Sequence, residues 1–207
     1  MEPTRLIIVR HGETEWNACG RLQNHLDSPL TELGVRQAHA LAERLASIPI
    51  DAFYTSDLGR AVSTAAVIEE AINRSYMLMP ALRERGMGCF EGLAWDEIKS
   101  SFPDHHEAFL ADKTRAVPGG ESGEEFQSRI AKACDELADR HPGQVILAVS
   151  HGHVLEVFLR TVMQIPLHQP RPARLPNASL NIFERHEGHW LLALWGDIGH
   201  LGQTTRS

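Results

Sequence analysis

Two short apolar runs in the chain end in the same way. Residues 6–9 (LIIV) lead through an arginine into His11 and a glycine, and residues 145–149 (VILAV) lead through a serine into His151 and a glycine. An apolar run without polar alternation is typical of a strand that is buried on both faces of a parallel sheet. Because ligand crevices open at the carboxyl ends of such strands, we expect both histidines to lie at one crevice.

Strand-like runs alternate with stretches of helical periodicity along most of the chain. Two further runs, residues 52–55 and 77–79, have strand character. The periodicity and two N-cap residues, Thr31 and Ser122, predict helices at about residues 31–46, 58–72, 122–137 and 153–163. This alternation indicates crossover units and a mainly parallel sheet in a three-layer α/β/α fold.

Two segments depart from this alternation. Apolar and polar residues alternate on both sides of a Glu-Gly pair at 187–188, which predicts an antiparallel hairpin over about residues 180–194 at a sheet edge. An exposed edge strand at residues 180–182, or the C-terminal tail, would offer a surface for a homodimer. Residues 86–120 carry short helical pieces between glycine-rich turns. We expect them to form a lid over the crevice, within a single domain that spans residues 1–207.

The charge and composition argue against several classes of protein. A formal net charge of −7 disfavours a nucleic-acid or membrane partner, since proteins that bind these carry basic surfaces. The cysteines form no C-x-x-C pair and suit a reducing cytoplasm rather than a disulfide framework; they are Cys19, Cys89 and Cys134. No segment has the roughly 20 apolar residues of a transmembrane helix, and the N-terminus does not resemble a signal peptide. We expect a cytoplasmic protein with a small-molecule partner.

A third charged residue is predicted to reach the same crevice. Arg60 stands at the start of the helix that follows the strand at residues 52–55. Two histidines together with arginines near helix starts suit an anionic ligand. Taken singly, each histidine could be a hydrogen-bonded structural residue and Arg60 a solvated surface residue. The repetition of the pattern is therefore what indicates a site, to which His153 could also contribute.

Six short motifs occur in one order along nearly the whole chain. They are RHGETEWN at 10–17, a glutamine at 23 with LDSPLT at 26–31, TSDLGRA at 55–61, LRE at 82–84 with FEGL at 90–93, GGES at 119–122, and VSHG at 149–152 with HL at 200–201. In this order the motifs resemble the histidine phosphatase superfamily, the phosphoglycerate-mutase-like proteins. The resemblance implies phosphoryl transfer through a histidine.

The resemblance also assigns roles to particular residues. It implies that His11 is the nucleophile, forming a phosphohistidine, and that Glu84 donates a proton to the leaving oxygen. Four residues are implied to hold the phosphate: Arg10, Asn17, Arg60 and His151. For Asn17, orientation of the nucleophile is the alternative role. His151 counts as catalytic too, because its protonated ring would stabilise the transition state. Two residues lie where the family contacts substrate: Thr14 and Gln23. No metal ion and no cofactor is implied.

The chain departs from the family pattern at two places. Asn24 stands where many relatives have glycine, and residues 196–199 (GDIG) differ from the commoner asparagine-containing run before His-Leu. Both places lie near substrate-contacting loops, so they bear on specificity and leave the phosphate pocket intact. Apolar residues in the predicted lid favour a partly apolar ester; they include Phe90, Trp95 and Phe109.

The leading interpretation is a metal-independent phosphatase that acts on a small phosphate monoester. A cofactor-dependent phosphoglycerate mutase would use the same pocket, although the short segment between Glu84 and His151 favours access of water and therefore hydrolysis. A zinc or iron hydrolase is a third interpretation, with ligands drawn from His11, Glu84, His151 and His153. A protein that binds a phosphorylated ligand without turnover is the fourth.

Overall fold

The computed structural model describes residues 2–202 of the chain. Its strands are β1 (Thr4–Arg10), β2 (Ala52–Thr55), β3 (Met77–Leu78), β4 (Val145–Ser150), β5 (Leu180–His186) and β6 (His189–Asp197). They form one sheet in the order β3-β2-β4-β1-β5-β6. The first four strands run parallel to one another, whereas β5 and β6 pair antiparallel with their neighbours. The predicted mainly parallel sheet with an antiparallel hairpin at its edge is confirmed.

The sheet lies between two layers of helices, as the sequence predicts. The helices are α1 (Glu15–Ala18), α2 (Glu32–Leu45), α3 (Gly59–Ile72), α4 (Trp95–Ser101), α5 (Pro103–Ala111), α6 (Gly123–Arg140) and α7 (Gly152–Met163). On one face, α2 and α3 bury Leu41 and Ile68, and on the other face α6 and α7 bury Ile130 and Phe158. Each such side chain contributes about 1.5–3 kcal/mol by leaving water.

The two histidine-bearing strands are neighbours at the centre of the sheet. The residues of the LIIV run in β1 are all fully buried, because alternate members face the two helical layers. The register pairs Arg10 with Ser150, and the backbone N–H of His11 donates to the carbonyl oxygen of Ser150 at 3.0 Å. Both chains therefore leave the sheet at the same level, which places His11 and His151 side by side.

Side chains fix the starts of the helices that flank this edge. The hydroxyl of Thr31 accepts from the N–H of Gly34, and Ser122 forms the predicted capping box with Glu125. The start of α3 has no local cap, and Asp27 supplies one from a distant loop by accepting the N–H of Gly59 at 2.7 Å. α7 begins directly after His151.

Residues 86–120 form the segment predicted as a lid. They contain the two expected helical pieces, α4 and α5, and a separate small core of Met87, Phe90, Ile98, Phe109 and Val117. A β-bridge between Met87 and Gly120 joins the two ends of the segment. Its closure requires glycine at 88, where φ is +44° and a Cβ atom would lie 2.1 Å from the carbonyl oxygen of Pro118.

The C-terminal hairpin corrects one sequence expectation. β5 and β6 are joined through Glu187 and Gly188, which both have positive φ, as a type I′ turn requires. β5 lies between β1 and β6, so residues 180–182 are an interior strand and the prediction of an exposed edge there is wrong. The C-terminal tail, named as a second surface for a homodimer, lies outside the described residues from 203 onward. Within residues 2–202, no helix has the length and apolar character needed to cross a membrane.

Candidate active site

β1 delivers His11 to the carboxyl edge of the sheet, where its ring is buried. Its Nδ1 lies 2.7 Å from the carbonyl oxygen of Gly12, an acceptor, so Nδ1 carries the proton. Nε2 then has a free lone pair, which accepts a hydrogen bond from Nε of Arg60 at 3.3 Å. The ring therefore presents Nε2 as its basic and nucleophilic atom.

The surroundings of His11 keep its ring neutral. Burial lowers the pKa of His11 well below its usual range, and the charges of Arg60 and Arg10 lower it further. The hydrogen bond to Gly12 and the charge of Glu84 oppose this shift more weakly. At neutral pH the imidazole is thus uncharged, with a proton on Nδ1 and none on Nε2. This is the form that can attack phosphorus.

Arg60, at the start of α3, is a buried guanidinium held by a loop of residues 24–27. Its two Nη atoms donate at 2.8 Å to three acceptors: the carbonyl oxygens of Asn24 and Leu26 and the carboxylate of Asp27. Burial lowers the pKa of Arg60, and Asp27 and Glu84 counter that effect. The network fixes the plane of the guanidinium and so aims Nε at His11.

Arg10, at the end of β1, is the second guanidinium beside His11. One Nη atom donates to the carbonyl oxygen of Leu175, while Nε is buried and has no hydrogen-bond partner among the described residues. Burial lowers the pKa of Arg10 to about 10, against the opposing charge of Glu84, so the group stays protonated at neutral pH. A buried N–H without an acceptor is costly, and a bound anion would supply that acceptor.

His151 follows β4, with its ring centroid 5.3 Å from that of His11. Nε2 lies 2.8 Å from the hydroxyl of Ser56, and Nδ1 is buried without a hydrogen-bond partner in residues 2–202. Burial, together with the charge of Arg60, lowers the pKa of His151 well below its usual range. The expected imidazolium is therefore not the form of the free pocket; the charge of a phosphate dianion would favour it.

Glu84 lies buried next to the start of α7. Its carboxylate accepts two backbone N–H bonds, from Arg85 at 2.9 Å and from His153 at 3.1 Å. One oxygen is also 3.4 Å from Nδ1 of the His153 ring. Burial alone would raise the pKa of Glu84, but His153, His151 and the Arg85 N–H together hold it well below its usual range. In the free pocket Glu84 is thus a carboxylate.

Three predicted ligand-binding residues are tied into the loops that cover His11. Thr14 and Asn17 cap α1 reciprocally, each backbone N–H donating to the other side chain at 3.1–3.2 Å. The amide oxygen of Asn17 also accepts from Asn177, whose amide donates to the carbonyl oxygen of His11. Gln23 is buried and accepts from the hydroxyl of Ser28 at 3.1 Å. Substrate contact by Thr14 and Gln23 stays a prediction.

A cleft of 1010 Å³ reaches His153, which joins it to Glu84. Its walls come from the lid, α6, α7 and the loop at residues 166–171. Trp95 and Phe109 line it and stack with ring centroids 6.0 Å apart. Phe90, expected to act with them, is instead fully buried inside the lid. The cleft therefore has the apolar wall that the sequence predicts, without Phe90.

Comparison with known proteins agrees with this geometry. The family model for the histidine phosphatase superfamily, branch 1, matches residues 6–198. The chain belongs to this superfamily. The chain is 36% identical over 205 residues to a metal-independent phosphoserine phosphatase of Arabidopsis thaliana, an alignment that covers 97% of this chain and 84% of the relative.

One further relative is named as a probable mutase, and one solved structure shares the fold. A probable phosphoglycerate mutase, GpmB, of Yersinia pestis is 37% identical over 203 residues, covering 95% of this chain and 94% of the relative. The structure of YhfR from Bacillus stearothermophilus superposes with a TM-score of 0.89 at 34% identity, covering 95% of this chain and 98% of that one. The chain thus resembles both a protein named as a phosphatase and a protein named as a probable mutase.

The pocket also contains side chains to which the sequence interpretation gave no role. Ser56 contacts His151, and Asn177 holds the backbone of His11. The carbonyl oxygen of Glu84 accepts hydrogen bonds from His25 at 2.9 Å and Arg129 at 3.3 Å. Ser56 directly follows β2, so the strand-end pattern could have identified it. The other three reach the pocket only through tertiary contacts.

The side chains proposed as zinc or iron ligands do not form a metal site. In the described part of the chain, no group of three or more histidine, cysteine, aspartate or glutamate side chains is placed to hold an ion. The positive charges of Arg10 and Arg60, which lower the pKa of His11, would also repel a divalent cation.

Proposed function

We propose that this histidine phosphatase hydrolyses small phosphate monoesters without a metal ion, through a phosphohistidine on His11. The observation that carries the proposal is the state of His11: its buried imidazole is neutral, Nδ1 holds the proton, and Nε2 has a lone pair directed at Arg60, while the charge of Arg10 also acts on the ring. A nucleophile of this kind splits hydrolysis into phosphorylation and dephosphorylation, two easier steps.

The phosphate would be held by side chains that have hydrogen-bonding atoms left unused by the protein. Nε of Arg10 and Nδ1 of His151 are buried polar atoms without partners in residues 2–202. The amide oxygen of Asn17 is occupied, which leaves its NH₂ group to donate. Together with Arg60, these donors would surround the phosphoryl oxygens and stabilise the charge of the transition state.

The reaction would proceed in two steps. His11 Nε2 forms a bond to phosphorus as the ester bond breaks, and the departing oxygen takes a proton from Glu84. A water molecule then attacks the phosphohistidine, gives its proton to the Glu84 carboxylate and releases inorganic phosphate. Binding of a phosphate dianion beside Glu84 opposes ionisation of the carboxyl and so raises its low pKa.

The comparisons and the cleft support a phosphatase in two ways. The Arabidopsis relative is named as a metal-independent phosphoserine phosphatase. The cleft of 1010 Å³ offers room for a leaving group, and His153, which lines it, lies 3.4 Å from Glu84. We also propose a cytoplasmic location, because Cys19, Cys89 and Cys134 are all free thiols.

Phosphate release from a panel of phosphate monoesters in excess EDTA tests the proposal. We expect turnover by the native protein and a labelled, acid-labile phosphoenzyme that can be trapped during turnover. His11→Ala should abolish both, because it removes the imidazole whose Nε2 is the proposed nucleophile. His189→Ala, on the exposed end of β6, is the matched control and should retain both. Capture of phosphate by the His11→Ala protein would overturn the assignment of the nucleophile.

The likeness to GpmB supports one alternative, a phosphoglycerate mutase. A mutase would return the phosphoryl group from His11 to a second hydroxyl group instead of to water. Addition of 2,3-bisphosphoglycerate separates the two functions. Interconversion of 2- and 3-phosphoglycerate that depends on this compound, with little phosphate release, would establish the mutase.

A further inference from the structure

The proposed acid, Glu84, has an unusual environment for a proton donor. Both of its carboxylate oxygens accept backbone N–H groups, and one of these N–H groups belongs to the first turn of α7. Backbone donors and the positive end of a helix stabilise the ionised form of a carboxyl group. The free pocket therefore does not store on Glu84 the proton that the leaving oxygen needs.

The ring of His153 is placed to hold that proton. Its Nδ1 lies 3.4 Å from the nearer oxygen of Glu84, is itself buried, and has no hydrogen bond in the described part of the chain. The side chain is nevertheless 45% exposed and lines the cleft. His153 thus lies beside the buried carboxylate of Glu84 and also faces the cleft.

We propose that His153 is a proton relay that loads Glu84 when a phosphate ester binds. This inference rests on the proposed function and adds a residue to it. The incoming phosphate dianion raises the cost of a second negative charge at Glu84, so the proton moves from the Nδ1–H of the His153 imidazolium to the nearer Glu84 oxygen.

The proton balance closes over one turnover. In the first step the His11–phosphorus bond forms, the ester bond breaks, and the Glu84 proton goes to the leaving oxygen. In the second step the water–phosphorus bond forms and the His11–phosphorus bond breaks. The proton of that water passes to Glu84 and, once phosphate leaves, returns to Nδ1 of His153.

The charged groups that face His153 are Glu84, a residue of its own helix, and residues across the cleft. Besides Glu84, its own helix contributes Glu156 one turn away, whose carboxylate interacts with the His153 ring and is paired with Arg160 and Arg171. Across the cleft lie the remaining charged or titratable groups: Arg85, His106, Asp112, Lys113 and His168. Glu84 and Glu156 bring negative charge to the surroundings of the ring, whereas the three arginines and Lys113 bring positive charge.

His153→Asn tests the relay with little change in structure. Asparagine retains the backbone N–H that Glu84 accepts and places an amide near the position of Nδ1, but it cannot ionise. We compare two substrates by rapid quench of the phosphoenzyme: O-phosphoserine, whose alkoxide needs a proton to leave, and p-nitrophenyl phosphate, whose phenolate does not. Phosphorylation by phosphoserine should slow about 10-fold or more, with less than about a twofold change for the aryl ester.

The pH profile and exogenous imidazole provide readouts that a structural role would not affect. In the native protein, phosphorylation by phosphoserine should decline as pH rises through the titration of the Glu84–His153 pair. In His153→Asn that decline should begin at lower pH, and millimolar imidazole should restore part of the rate. His153→Gln is the second variant, should asparagine disturb folding, and His189→Asn on the exposed β6 is the control.

A double variant tests whether His153 acts through Glu84. If His153 acts through Glu84, His153→Asn should cause no further loss in a Glu84→Gln background. Equal losses for the two esters, additive losses in the double variant, or an unshifted pH profile would overturn the relay. Absence of any phosphoenzyme in the native protein would instead overturn the proposed function, so the two failures are distinguishable.

Discussion

At the scale of single residues, the protonation states of the histidines in the pocket follow from burial and from the charges of the neighbouring arginines. His11 and His151 are neutral because two guanidinium groups and the protein interior both disfavour a further positive charge. The same arginines favour the charged form of Glu84, which itself acts to raise the pKa of both Arg10 and Arg60. The free site is therefore preorganised for a group with two negative charges.

Glu84→Gln should separate esters by their leaving groups. Glutamine cannot donate the proton that an alkoxide requires, so kcat/KM for O-phosphoserine should fall about 100-fold or more. An aryl phosphate departs without a proton and should lose far less. Steady-state kinetics on both esters measure the difference, with His189→Asn as the control. Equal losses on the two esters would argue against Glu84 as the acid.

At the scale of elements, the sequence predicts what is encoded locally. The apolar runs of β1 and β4 and the caps at Thr31 and Ser122 depend on neighbouring residues, and the structure contains all of them. The sequence does not predict the single-turn helix α1, because its cap depends on Asn17, a residue interpreted as binding the phosphate or orienting the nucleophile. β3 has only two residues and pairs with β2 at the sheet edge.

Gly88→Ala should open the lid. Alanine at 88 adds a Cβ atom 2.1 Å from the carbonyl oxygen of Pro118 and also places a side chain at φ +44°. Gly20→Ala is the matched control, since φ is +70° but no atom lies within 4 Å of the new Cβ. The control should lose only about 1 kcal/mol of unfolding free energy.

The Gly88→Ala variant should lose more stability and should be cleaved faster by trypsin within residues 86–120 than the control. Urea denaturation and mass spectrometry of the fragments measure both effects. Similar stability and cleavage in the two alanine variants would show that closure of the lid does not depend on this contact.

At the scale of the whole molecule, the positions of the residues proposed to bind phosphate were predictable, and the contacts that hold those residues in place were not. His11, Arg60 and His151 stand at strand ends or helix starts, so local pattern and sheet topology bring them together. Asp27 reaches the start of α3, and Arg129 reaches the backbone of Glu84, through contacts between distant segments. No local periodicity encodes such contacts, because they depend on how the loops pack.

The buried histidines should also make the stability of the molecule depend on pH. Each ring has its pKa lowered well below the ordinary value of 6.5, so it is neutral in the fold and gains a proton when the chain unfolds in acid. The stabilisation is fully present above about pH 6.5 and is lost as pH falls, by up to about 1.4 kcal/mol per pH unit for each ring. Glu84, whose pKa is also lowered, adds to the loss at lower pH.

Urea denaturation between pH 8 and pH 5 measures this dependence. His151→Gln should reduce the slope of unfolding free energy against pH by about one proton, whereas His189→Gln, exposed at the hairpin, should leave it unchanged. Inorganic phosphate should reduce the slope in the native protein, because an anion between the arginines allows His151 to keep a proton in the fold. An unchanged slope in His151→Gln would mean that this ring binds protons equally in the folded and the unfolded chain, which would contradict a lowered pKa in the pocket.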